Sequence, residues 1–357
     1  MNGVAFLIFK MDKKCKENDN RWLHRFAVAS AVATFLLLGA GGLVTSHEAG
    51  MSVPDWPNSY GYNMFAFPIS KWTGGIFYEH THRLWASVVG LMTTVLAVWI
   101  FLKDSRKWMK WLGVAAFLLV VAQGVLGGLR VVLIDADLGT VHGIVGQTFF
   151  VLMCAIALFT SRFRQKFSGR KLNVPRNLRI LVLAATLLIF FQLILGATMR
   201  GQHAGLAIPD FPTAYGQLWP DTSPAAIVRY NAESGNPDII TSFQILLQMV
   251  HRLGALAIFI CVTTCAVMAW RQLGGRDPLA KFAFFWLALI AAQIGLGAWT
   301  ILSNKAADIA TAHVLVGALS LVTGALWYII ASGRPTKITE VETAPSDVFG
   351  TLAANKR

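Results

Sequence analysis

Residues 49–61 read AGMSVPDWPNSYG, and residues 204–216 read AGLAIPDFPTAYG. Seven of these thirteen positions are identical, among them Pro54 and Pro209, Asp55 and Asp210, Pro57 and Pro212, and Tyr60 and Tyr215. Likeness of this kind inside one chain marks a duplication, and it has to be found before the fold is read. The match runs on at nearly constant offset. HRL at 82–84 recurs at 251–253, QGVLGG at 123–128 is answered by QIGLGA at 293–298, and TVHGIVG at 140–146 by TAHVLVG at 311–317. The chain is two copies of one unit.

Each unit is built from apolar runs. Of the 357 residues, 55% are hydrophobic and only 14% charged, with a mean hydropathy of +0.56, which is a membrane composition. Eight runs, 26–45, 77–102, 112–133, 139–160, 180–199, 242–270, 282–302 and 309–331, are each long enough to cross a hydrocarbon core of about 30 Å. The expectation is an all-α integral membrane protein with eight transmembrane helices in two pseudo-symmetric, parallel four-helix bundles. Because four is even, both units run the same way, related by an axis along the membrane normal.

The formal charge of +13 belongs to topology rather than to a nucleic-acid partner. Basic residues crowd the tail before 26, KDSRKWMK at 103–110, the linker after 160, RQLGGRDPLAK at 271–281 and the C-terminal tail. The opposite loops hold only Lys71, Arg130, Arg200, Arg229 and Lys305. By the positive-inside rule both termini are cytoplasmic in a cell (inner) membrane. The domain expectation is therefore a tail 1–25, an N-terminal bundle 26–160, a basic linker 161–179, a C-terminal bundle 180–331 and a tail 332–357. The apolar run from residue 26 lacks a clear small-x-small cleavage site, so a cleaved signal peptide is not expected. None of Cys15, Cys154, Cys261 and Cys265 falls in an outer loop, which offers no external disulfide.

Four histidines recur in register: His82 and His142 in the first half, His251 and His313 in the second. Each lies a turn or two inside the outer end of an even-numbered span. Two facing imidazoles in a bundle interior suit axial ligation of haem iron, whereas zinc would need further ligands that neither half supplies consistently. Arg83 and Arg252 directly follow their histidines and are candidates to pair with a haem propionate; snorkelling to the interface is the plainer alternative. Small residues nearby, Gly139, Gly143, Gly146, Gly254 and Gly317 among them, allow either a flat macrocycle or close helix packing.

The combination resembles the haem A synthase family over nearly the whole chain. It carries that family's E-x-x-H-R as Glu79-His80-Thr81-His82-Arg83, and its G-L-x-x-x…G-x-S-x-x-D-W-P region as Gly42 to Pro57. The resemblance implies oxidation of the C8 methyl of haem O to the formyl of haem A for cytochrome oxidase assembly. It also implies that His82 and His142 ligate the substrate haem, that His251 and His313 ligate haem b, and that Glu79 is functional. Haem O synthase and haem-copper oxidase assembly factors are the implied partners beside the lipid bilayer, and a homo-oligomer is compatible with it. Some bacterial members have a cysteine pair in the first outer loop; this chain has none between 46 and 76.

The duplication sharpens the role of Glu79. Its repeat partner is Gln248, an amide of the same shape that cannot exchange a proton. A carboxylate at i, i+3 from His82 shares its helix face, where it can take a proton or stabilise positive charge during oxidation. A carboxylate favoured by the helix dipole is the structural alternative. His80 stands about 200° around the helix from His82 and does not ligate the same iron. His47 and His203 do not align in the repeat, and each P-D-aromatic-P loop is read equally as a lid or as a plain turn. A dihaem b-type electron carrier and a parallel-repeat transporter are the rival functions.

Overall fold

The computed structural model describes residues 20–162, 174–234 and 239–333. Most of the tails and of the 161–179 linker therefore lie outside the described residues. Eight long helices appear: α1 Arg21–Ser46, α2 Gly74–Lys103, α3 Lys107–Val132, α4 Ala136–Thr160, α5 Arg176–Gly201, α7 Ser242–Leu273, α8 Pro278–Leu302 and α9 Ala307–Ala331, with a short α6, Pro224–Ser234, in a loop. All eight are long and apolar enough to span a membrane. The protein is a multi-pass, all-helical membrane protein, and among the described residues there is no strand.

Local chemistry sets the helix ends beyond the apolar runs. Asn20 accepts from the N–H groups of Trp22 and Leu23 at the start of α1, and Asp135 does the same for Asp137 and Leu138 at α4. Thr241 and Gln244 form a reciprocal capping box at α7, and Asp277 with Pro278 opens α8. These residues satisfy N–H groups that a helix start leaves without internal partners. Gly274, at φ 89, ends α7 where an L side chain would be strained.

Helices α1 to α4 pack as a closed ring, each on its sequence neighbours and α1 on α4; α5, α7, α8 and α9 do the same. Between the halves, α1 meets α9 and α4 meets α5, contacts that a two-fold exchanging the units would interchange. The arrangement is consistent with the expected pseudo-symmetry. Ser46 Oγ lies 3.2 Å from Thr311 Oγ1 across the first of these contacts. Across the second, Gly201 lets the end of α5 lie against Thr140 of α4.

Outward faces carry Leu91, Phe101, Leu118, Phe191 and Ile260, all more than half exposed, as lipid-facing residues should be. With lipid as solvent, association rests on packing and interhelical hydrogen bonds more than on hydrophobic burial. Each half has its own apolar core, one around Leu96, Ile100, Met109 and Met153, the other around Val182, Val262, Trp286 and Trp327. Their outermost members include Val89 and Phe149 in the first half and Ile258 and Leu321 in the second. Those four follow the nearest of the four histidines by seven or eight residues, about two helical turns. The dense core of each bundle thus begins two turns inward of the histidine layer.

Candidate functional site

The histidine layer is made by a contact repeated four times. A Cβ built on Gly41 of α1 would lie 3.1 Å from His82 Cε1, and one on Gly127 of α3 would lie 3.2 Å from His142 Cε1. On Gly196 of α5 it would be 3.2 Å from His251 Cε1, and on Gly297 of α8 3.1 Å from His313 Cε1. Each imidazole on one helix therefore rests on a glycine of the preceding long helix, where even a methyl group would crowd the ring. His82 and His142 are near enough to feel each other's charge, as are His251 and His313.

A second row reciprocates the first. Gln123, Gln192 and Gln293 precede Gly127, Gly196 and Gly297 by four residues. Gln123 Nε2 donates to the His142 carbonyl at 3.1 Å, and Gln192 Nε2 to that of His251 at 2.7 Å. Glycines on the histidine helices make room for them: a Cβ on Gly254 would overlap Gln192, and one on Gly317 would come within 3.1 Å of Gln293 Nε2. Gly254 and Gly317 therefore serve packing, and the sequence signal that marks the row is the spacing Gln-x-x-x-Gly. The α1 counterpart of these glutamines is Leu37.

The imidazoles retain binding capacity. His313 Nδ1 lies 3.1 Å from the Gln293 carbonyl and donates there, the orientation that outer hydrogen bonds give to metal-bound histidine, while its Nε2 accepts from Gln293 Nε2 at 3.3 Å, a bond that iron ligation would replace. Nδ1 of His82, His142 and His251 is buried without a hydrogen-bond partner, an arrangement that calls for explanation. Close glycine cradles and paired rings fit an axially ligated planar group. Among the described residues no three His, Cys, Asp or Glu side chains gather around a common point.

The outer loops fold alike and dock on their bundles. Asp55 accepts from the N–H groups of Tyr60 and Gly61 at 2.7 and 2.8 Å, and Asp210 from those of Tyr215 and Gly216 at 2.7 and 2.9 Å. Tyr60 and Tyr215 take left-handed φ values of 51 and 53, conformations those carboxylates lock. Burial pulls the Asp55 carboxyl upward, but the N–H bonds and Arg83 outweigh it and hold it below its ordinary value. Asp210 is lowered similarly, its N–H bonds and the Thr213 hydroxyl outweighing burial. Tyr215 stacks on Tyr230 of α6 at 3.6 Å; burial, then Tyr230 and Asp210, push its phenol up to about 12.

Glu79 and the two arginines hold these loops. Arg83 donates to the carbonyls of Val53, Asp55 and Asn58 at 2.6, 2.6 and 3.1 Å. Arg252 donates to those of Asp210 and Thr213 at 2.7 and 2.8 Å. Buried Glu79 accepts the Val53 N–H at 2.8 Å through Oε2 and pairs with Arg83 at 2.7 Å through Oε1. Buried Gln248 accepts the Ile208 N–H at 2.7 Å. This latch is absent from the sequence reading, because its two ends are 26 residues apart. Trp56 covers Gly128 of α3, where a Cβ would overlap the indole, so the first loop crosses the outer end of its bundle.

The other histidines stand apart from this layer. His80 is fully buried on the far side of α2, between Phe67 and Trp72 at 4.9 and 4.8 Å, with Nδ1 3.2 Å from Ser59 Oγ. His47 stacks on Tyr78 at 4.1 Å, and His203 takes a left-handed turn at φ 50 after α5. Cys154, Cys261 and Cys265 are free thiols inside spans.

Fold and site together define a polytopic membrane protein with a glycine-cradled histidine pair in each of two four-helix bundles. The chain belongs to the cytochrome oxidase assembly protein family, whose family model matches residues 24–325. It is 26% identical to the heme A synthase of Lysinibacillus sphaericus (strain C3-41) over 317 residues, covering 87% of this chain and 95% of the relative. It is 24% identical to the heme A synthase of Bacillus cereus (strain 03BB102) over 329 residues, covering 91% and 97%. With that of Geobacillus kaustophilus (strain HTA426) it shares 26% over 334 residues, covering 91% and 95%.

Proposed function

We propose that this chain is a haem A synthase, an oxidoreductase that converts the C8 methyl of haem O to the formyl of haem A in a cell membrane, with both termini cytoplasmic. The observation that carries the reading is the repeated histidine layer: four rings seated on four glycines, two in each bundle. His82 and His142 hold the substrate haem in the bundle 26–160, and His251 and His313 hold a haem b in the bundle 180–331. When bound, the two haems supply the redox chemistry. The chain's own residues orient and enclose them.

The glycine cradle fixes the plane of each imidazole, and the glutamine bonds to the His142 and His251 carbonyls fix the register of the helices that carry them. Glu79, one turn from His82 and held by Arg83 and the Val53 N–H, takes the proton released as the methyl is oxidised. Gln248, its counterpart, keeps only the latch. Arg83 and Arg252 hold the loops over the outer ends, and Arg252 Nε, buried without a partner, would be available to a haem propionate. Haem O synthase and oxidase assembly factors are the partners this activity needs.

Co-expression with a haem O synthase, followed by extraction and chromatography of the haems, tests the proposal. Haem A whose appearance depends on this chain is the expected result; unchanged haem O would overturn it. One observation favours a second reading, a dihaem b-type electron carrier: both Glu79 oxygens are already engaged in closing the loop. That reading requires haem B in both bundles and no haem A.

A further inference from the structure

Arg130, near the end of α3, is charged, largely enclosed and unmatched in the duplication. Its guanidinium is tucked under the first loop against Gly50, where a Cβ would fall on it, and its Nε would lie 3.0 Å from a Cβ on Gly139 of α4. It makes no side-chain hydrogen bond or ion pair among the described residues. It stands within electrostatic reach of both His82 and His142. The nearest acid by interaction, Glu79, is taken up by Arg83. A snorkelling arginine would lift its head into water; this one is held between two glycines.

The second bundle has none of this. The repeat partner of Arg130 is Thr300, and that of Gly50 is Gly205, whose absent Cβ would meet nothing within 4 Å. A half-buried guanidinium with five donors and no protein acceptor suits a planar anion. Arg200 adds a second positive charge at the same end, its Nη2 bonded to the Gly42 carbonyl and Ser46 Oγ of α1.

We propose that Arg130 is a carboxylate receptor specific to the first bundle, pairing with a propionate of the porphyrin seated between His82 and His142. The proposal rests on the haem reading of the bundles. The test is titration of the purified chain with iron protoporphyrin IX and with its dimethyl ester, the first site being the absorbance change that His142→Ala removes. Arg130→Gln is expected to weaken the free acid there about ten- to a hundredfold, while the ester and the second site are unchanged. Arg130→Lys should lose less. Gly50→Ala, which displaces the guanidinium, should behave like Arg130→Gln, and Gly205→Ala should have no effect. Equal weakening of acid and ester, or no weakening, would overturn the assignment to the carboxylate and leave the haem reading standing. A wild-type chain that binds neither porphyrin would overturn both.

Discussion

In the first bundle Glu79 accepts the N–H of Val53, and in the second Gln248 accepts the N–H of Ile208, the position Val53 holds in the repeat. The geometry of the latch is common to the two halves, and only the group that makes it differs. An amide is sufficient to hold the loop, since Gln248 does so. The carboxylate of Glu79 therefore supplies something beyond docking. Part of that is the ion pair with Arg83; the second half dispenses with it, and Arg252 still grips its loop through carbonyls alone.

The largest effect expected from breaking this comparison comes from the histidines. His82→Ala should remove one population of bound haem and His251→Ala the other, read as loss of about half the haem absorbance in each purified variant. Loss of both from either variant would mean that the bundles are not separate sites. Next is Glu79→Gln, which gives the first half the chemistry of the second. The amide keeps the Val53 bond, so haem should still bind, while haem A yield falls about a hundredfold, the scale of a lost proton-transfer group. Wild-type yield would confine Glu79 to the latch.

Smaller effects test what the halves share. Gly41→Ala and Gly196→Ala each push a methyl against a histidine ring and should destabilise the protein by about 1–3 kcal/mol, measured as a lowered melting temperature in detergent. A cost in one half alone would show that the cradles are not equivalent. The gentlest test is acid. Asp55 and Asp210 have depressed carboxyl values in the folded loops, so their contribution is fully present above the ordinary value of 3.8 and is lost as pH falls below it through the depressed one. Limited proteolysis should leave both loops intact at pH 5 and cut them progressively below pH 3.8. Asp55→Asn should expose the first loop at every pH, while the second keeps its acid profile.

Much of the fold was legible in the sequence. The apolar runs gave eight spans, and the helices exceed them mainly at their ends: α1 begins at Arg21 rather than 26, because Asn20 caps it, and α5 begins at Arg176 rather than 180. The four histidines were legible because duplication exposes what is repeated. The Glu79/Gln248 difference was legible as a contrast, though its physical content was not. Arg130 read as one of the few basic residues of the outer loops, whereas it lies inside the end of α3, and the row of Gln123, Gln192 and Gln293 drew no assignment.

Hydropathy, repeat register and residue type are local properties of the chain. They determined the spans, the two-fold duplication and which histidines to suspect. The tertiary structure decided what each polar group meets: Glu79 with Val53, Arg130 between Gly50 and Gly139, His313 on Gly297. These partners are brought together only when loops close over helices and glycines let neighbouring helices approach. A buried hydrogen-bonding group must find its partner wherever the fold places one, and no periodicity in the sequence encodes where that is.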